Sequence, residues 1–248
     1  MKERPILFSG PMVRAILEGR KTQTRRVAKE FAGRDDLDAI LGRFPNQRGC
    51  PHGEPGDRLW VRETHEVRRI GTELTIGGIP MRRYAGVAYK ADDGRAEVDI
   101  DLNTFQELDA KESRGWTPSI HMPRWASRIA LEITGVRAER LQSISESDAI
   151  AEGAVYTDFG IEPPKGSLSL DGGRTFHPIV RGTQRNGWHM GDATSHKQCL
   201  GSARYAFANL INRLHGGENW NLKGPGLWEA NPWVWVVEFR RIDGPEKR

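Results

Sequence analysis

Two cysteines, Cys50 and Cys199, are all that 248 residues contain. That is too few for a disulfide framework and fits a reducing compartment. Long apolar runs are missing as well: no stretch approaches the roughly 20 residues a membrane-spanning helix needs. The apolar residues Pro5 to Phe8 run at once into Ser9-Gly10-Pro11, so the N-terminus has no signal-peptide core. The expected location is the cytoplasm, with neither a membrane nor a protein partner. There is no Walker loop, nucleophile elbow or dinucleotide fingerprint, and no cofactor is expected. Cys50-x-His52 and His196-x-x-Cys199 would together make a Cys2His2 set, but neither has the paired spacing of zinc ligands and they lie far apart, so no metal is expected. A fixed-period repeat is absent too, which excludes solenoids and propellers.

What is present is charge, unevenly spread. The chain carries 37 Lys and Arg against 33 Asp and Glu, a net +4, with 37% hydrophobic residues and a mean hydropathy of -0.61. Residues 1–30 alone hold eight Lys and Arg against three Glu, so the basic end accounts for the whole excess. Such a cluster favours phosphate-bearing partners through counterion release.

The densest part is Gly19-Arg20-Lys21-Thr22-Gln23-Thr24-Arg25-Arg26, four cations with no acid among them. Before it, Pro11 to Glu18 predicts a short helix, with Pro11 in the first turn and Met12/Ile16 and Val13/Leu17 as i,i+4 apolar pairs. Gly19 is then the residue just past its end. The segment is either an anion or polar-ligand site or a solvated basic face.

Further along, Arg4 to Ser9 predicts a first strand. Residues 36–41 read as a helical turn and 44–56 as a loop. From Arg58 the chain alternates, with Leu59, Val61, Glu63, His65 and Val67 on one face; an acid there must be paired or face a cavity. Residues 70–80 look like a hairpin excursion that returns in a strand over 86–91, and 92–114 are acidic and polar. Residues 128–136 predict another strand. Ser145-Glu146-Ser147-Asp148 opens a helix through Glu152 that stops at Gly153. Residues 157–200, rich in glycine and without a period, read as an insertion or partly ordered lobe. Phe207, Leu210, Ile211 and Leu214 predict an amphipathic helix closed by Gly216-Gly217, and a strand over 233–240 puts Trp233, Trp235, Val237 and Phe239 on one face. This order predicts an α+β fold, a small and mostly antiparallel barrel with packed helices.

The pattern Gly19-x-Lys21-x-x-x-x-Arg26 after a short helix resembles the signature of the ASCH domain family, members of the PUA-like superfamily. Residues 56–64 (GDRLWVRET), 118–128 (PSIHMPRWASR) and 231–236 (NPWVWV) resemble the longer phage and prophage members. The resemblance implies one PUA-like pseudo-barrel over 1–248, with insertions at about 68–115 and 157–200, and a modified nucleoside or single-stranded RNA as partner. Among the small bacterial members that hydrolyse N4-acetylcytidine, the active residues correspond to Lys21, Thr24 and Glu152. Either Thr24 attacks with Lys21 as base, or Glu152 activates a water while Lys21 polarises the carbonyl. Arg20, Arg25, Arg26, Arg62, Glu63, His121 and Arg124 are the candidate substrate- or nucleic-acid-binding residues, and Trp60, Trp116 and Trp125 are candidate stacking surfaces or ordinary core residues. A non-catalytic module that reads modified bases is the second reading, and a ribonuclease the third.

Overall fold

The computed structural model of the protein describes residues 1–32, 49–111, 115–162, 166–178, 182–215 and 226–242. The helical turn read over 36–41, residues 44–48 of the loop and Gly216-Gly217 lie outside them. The class is α+β, with open and mostly antiparallel sheets. The chain divides into two compact units, Met1–Leu141 with Pro232–Arg248, and Gln142–Asn231.

In chain order the first unit holds β1 (Glu3–Leu7), α1 (Gly10–Leu17), β2 (Gln23–Val27), β3 (Arg58–Arg62), β4 (His65–Leu74), β5 (Pro80–Tyr89), β6 (Arg95–Asp99), α2 (Leu102–Asp109) and β7 (Ala130–Arg140). The second unit holds α3 (Glu146–Ala151), β8 (Val155–Glu162), β9 (Ser167–Leu168), β10 (His177–Pro178), β11 (Thr183–His189), α4 (Ala203–His215) and α5 (Leu227–Ala230). The strand β12 (Trp233–Ile242) then returns to the first unit.

Five strands pair in the order β1-β3-β7-β12-β2, all antiparallel except β1 with β3. β12 sits between β7 and β2 and is buried on both faces over its first half. Its alternating Trp233, Trp235, Val237 and Phe239 enter the main core with Ile6, Leu59, Leu131 and Ile133, as the sequence pattern predicts. α1 adds Val13 and Ile16 to the same core. The chain leaves for the second unit at the end of β7 and comes back at the start of β12, and there the Leu141 N–H donates to the Pro232 carbonyl at 3.0 Å.

The alternation from Arg58 is one strand in the sequence reading and two in the structure. β3 belongs to the five-stranded sheet and β4 to a separate sheet, β4-β5-β6. The chain breaks step at Glu63 and Thr64, where Arg128 claims the Glu63 carboxylate and the Lys90 N–H donates to the Thr64 carbonyl at 3.0 Å. The polar stretch 92–114 is more regular than its composition suggests. It supplies β6 and α2, whose N-cap Asp101 accepts from the Thr104 N–H at 2.7 Å. Val87, Tyr89, Leu108, Met122 and Ala126 make the core beneath this sheet.

In the second unit, residues 157–200 contain ordered strands. β8 and β11 pair over Val155–Glu162 with a register shift between Gln184 and Asn186. Ser145 caps α3 by accepting from the Asp148 N–H, and Gly153 follows with φ of 108°, so the predicted boundaries hold. The Glu146 carboxylate accepts from the Ala203 N–H at 2.9 Å, a negative group at the start of α4. Phe207, Leu210 and Ile211 are buried on α4 as the period predicts, but Leu214 is 53% exposed near its last turn.

Candidate functional site

The basic segment begins at a helix end. Gly19 takes φ of 74°, a conformation that costs glycine little. Its N–H donates to Ile16 and that of Arg20 to Ala15, the paired bonds of a left-handed helix stop. The Lys21 N–H also donates to the Ala15 carbonyl, at 3.0 Å, so the last turn of α1 fixes where Lys21 starts. From there the chain enters β2, and alternation sends its side chains to opposite faces.

Lys21 and Thr24 are 2% and 3% exposed, depths at which a lysine is seldom found. The Lys21 ammonium donates to the Gln23 carbonyl at 2.8 Å and lies over the Phe8 ring, 5.5 Å from its centroid. Arg26 reaches the same ring, its guanidinium carbon 5.4 Å from the centroid, and also donates to the Leu7 carbonyl at 2.6 Å. Thr24 and Arg26 are register partners of Val237 and Trp235, so they share the core face of β12. Arg25 is on the opposite face, ion-paired to Glu139 of β7, where Arg137 bridges Glu139 and Glu238. Arg20 folds back onto Glu18 at the helix end. The four cations thus split three ways, and the structure brings together Lys21 and Arg26.

Glu63, expected to be paired or to face a cavity, is paired. Arg128 grips both of its oxygens at 2.9 Å and reaches Asp92 with the same guanidinium, which lies 4.1 Å from the Tyr89 ring centroid. Burial raises the Glu63 carboxyl above its usual value although Arg128 pulls the other way, while Arg128 holds Asp92 low. In the sequence Arg128 ends the 118–128 motif and opens the strand read over 128–136, and nothing there marks it as the partner of Glu63. Its spacing from Glu63 carried no signal, because β3 and β7 are joined only through the sheet. His65 was read correctly as lying on the apolar face. It is buried, and burial lowers its pKa. Its Nδ1 has no hydrogen-bond partner among the described residues.

The other candidates are scattered. Arg124 is bound through two bonds to Glu3, which it holds below the usual carboxylate range, and Arg62 and Arg124 both lie over Trp60, at 4.8 and 5.8 Å. Trp60 is buried and Trp125 packs against the smaller core, so these two are structural. Trp116 differs: it is 40% exposed, with Arg68 and Lys90 over its ring at 5.8 and 5.9 Å. His121 is exposed in a short turn over Ser119–His121. Glu152 belongs to the second unit, where it is buried at the C-cap of α3 and its N–H donates to the Asp148 carbonyl.

Both cysteines are free thiols, Cys50 buried and raised in pKa by that burial. Among the described residues no group of three or more His, Cys, Asp or Glu is arranged to hold a metal ion, and no helix is long and apolar enough to cross a membrane. Set against protein-family models, curated proteins and solved structures, the chain finds no match.

Proposed function

We propose that the protein is an ASCH-type hydrolase, with its five-stranded sheet forming part of a PUA-like pseudo-barrel, that cleaves the amide bond of N4-acylated cytidine. One observation carries the reading: a lysine that is 2% exposed sits over the same aromatic ring as Arg26, within three residues of a buried threonine. Burying an ammonium is costly and calls for a compensating use. Lys21 is the central group on either chemical route. In one, the Thr24 hydroxyl adds to the acyl carbon, the bond to the exocyclic nitrogen breaks, and Lys21 passes the hydroxyl proton to that leaving nitrogen; water then frees the acid. In the other, Lys21 polarises the acyl oxygen while a water molecule attacks the acyl carbon and the bond to the exocyclic nitrogen breaks.

The test is incubation with N4-acetylcytidine, following cytidine by mass. Lys21→Ala should lower the rate by about 10²-fold or more. Lys21→Arg should fail as well on the covalent route, because a guanidinium does not give up its proton, and should keep part of the rate if Lys21 only polarises the acyl oxygen. Thr24→Ser retaining part of the rate while Thr24→Val loses it supports the covalent route. Every variant must melt as the wild type does. A Lys21→Ala protein that folds and turns over normally would sink the assignment.

Trp116 favours a second reading, a module that binds single-stranded nucleic acid without turnover, since an exposed indole flanked by Arg68 and Lys90 suits a stacked base and its phosphate. Salt-sensitive RNA binding that is lost in Trp116→Ala, with N4-acetylcytidine left intact, would put this reading first.

A further inference from the structure

The second unit contains a cavity of about 350 Å³ that no step above uses. It opens between the end of β11, the segment after it and α4, and its lining includes Trp188, His189, Asp192, Lys197, Asn209 and Arg213. The volume lies in the range that small-molecule sites occupy.

His189 first invites a catalytic reading, because its Nε2 lies 2.8 Å from the Thr157 hydroxyl. The other ring nitrogen decides against it. Nδ1 accepts the N–H groups of Gly191 at 3.0 Å and Ala193 at 3.3 Å, so it carries no proton. The proton is then on Nε2, which donates to Thr157. A general base would need that nitrogen bare. The pair braces the cavity wall.

The remaining groups describe a ligand. Asp192 is neutralised by its ion pair with Arg213, so the cavity's uncompensated charge is the Lys197 ammonium. Trp188, Lys197 and Asn209 each carry N–H donors, and none of the three side chains has a hydrogen-bond partner among the described residues. Three unpartnered donors in one lining, with the Asp192 carboxylate already taken by Arg213, suit an acceptor-rich guest. Trp188, held edge-on by Tyr156 with centroids 5.5 Å apart, offers a fixed indole, and Leu210 adds apolar surface.

We propose that this cavity binds a small planar molecule bearing one anionic group, the ring against Trp188 and the anion on Lys197. Mononucleotides and aromatic carboxylates share that chemistry. The site uses no residue of the hydrolase reading and stands or falls apart from it. Calorimetric titration of the full chain should use cytidine 5′-monophosphate and indole-3-carboxylate as the two arms, with cytidine, indole and inorganic phosphate as controls. At least one anionic ring compound should bind, and its neutral counterpart should bind about tenfold more weakly, the worth of one charge-assisted hydrogen bond. Lys197→Ala should weaken binding by a similar factor, Trp188→Phe should retain it and Trp188→Ala should lose it, while Lys21→Ala should leave it unchanged. The arm that binds identifies the source. The proposal is overturned if neither arm binds at millimolar concentration, if phosphate alone binds as tightly, or if Lys197→Ala binds as the wild type does.

Discussion

Two arginines in the first unit each gather several carboxylates, and they differ in depth. Arg128 lies between Asp92 and a Glu63 that is 1% exposed, under the core of the smaller sheet. Arg82 reaches Glu73, Glu97 and Asp99 from the surface of that sheet, with more partners and far more water. In both cases the carboxylates push the guanidinium pKa up, so protonation alone does not tell the clusters apart. Their cost of disruption should. Removing one partner of a buried pair strands a desolvated charge, whereas an exposed pair exchanges its partner for water.

The largest expected effect is therefore Arg128→Met, which leaves the Glu63 carboxylate buried and alone and should cost about 3–5 kcal/mol in urea unfolding. Adding Glu63→Gln to that variant should recover much of the loss, since the stranded charge is gone. If the double variant is no more stable than the single one, packing against Tyr89 rather than charge dominates. Arg82→Met, with more salt bridges to lose, should cost about 1 kcal/mol or less. A loss equal to that of Arg128→Met would break the comparison.

The pH dependence sharpens the contrast. Burial raises the Glu63 carboxyl above 4.5, so the folded state holds that proton more tightly, and this group's contribution to stability falls as pH climbs from 4.5 through the raised value. Unfolding free energies measured from pH 4 to 7 should show this decline, and Glu63→Gln should remove it. The smallest effect is expected at Asp57, which the Lys2 backbone N–H and then the Arg4 side chain hold at about 2 rather than 3.8. Its contribution is complete above 3.8 and is lost as pH falls through about 2, so Asp57→Asn should flatten the melting curve in that window alone.

The sequence shows elements where local rules act alone and misses what the sheet assembles. The helix before Gly19, the Ser145 cap, and the Trp233 to Phe239 alternation are legible because caps and periods are short-range signals. β6, α2 and the β8–β11 ribbon were hidden by polar composition: these elements are half solvated and carry few large apolar residues to mark a period. At the site, alternation marks Glu63 as lying on an apolar face, but the burial of Lys21 and Thr24 and the separation of Arg25 from Arg26 depend on how the basic segment pairs with β12. Arg128 gave no local signal at all, since its partner is 65 positions away.

One bond at the seam of the chain has a kinetic meaning. Leu141 and Pro232 are joined by a hydrogen bond at the end of the β7–β12 pair, and Gln142 and Asn231, the outermost residues of the second unit, are joined through the Asn231 amide oxygen at 2.8 Å. In topology, residues 142–231 take the place of a hairpin loop. If β7 met β12 while that loop was still unfolded, the whole closure entropy would fall on the sheet, and such distant contacts form slowly. A second unit that folds first ties its own ends together, and the effective loop then shrinks to that of a tight turn. The order of folding, and with it the time β12 spends with unpaired edges, is therefore set by residues that take no part in the sheet.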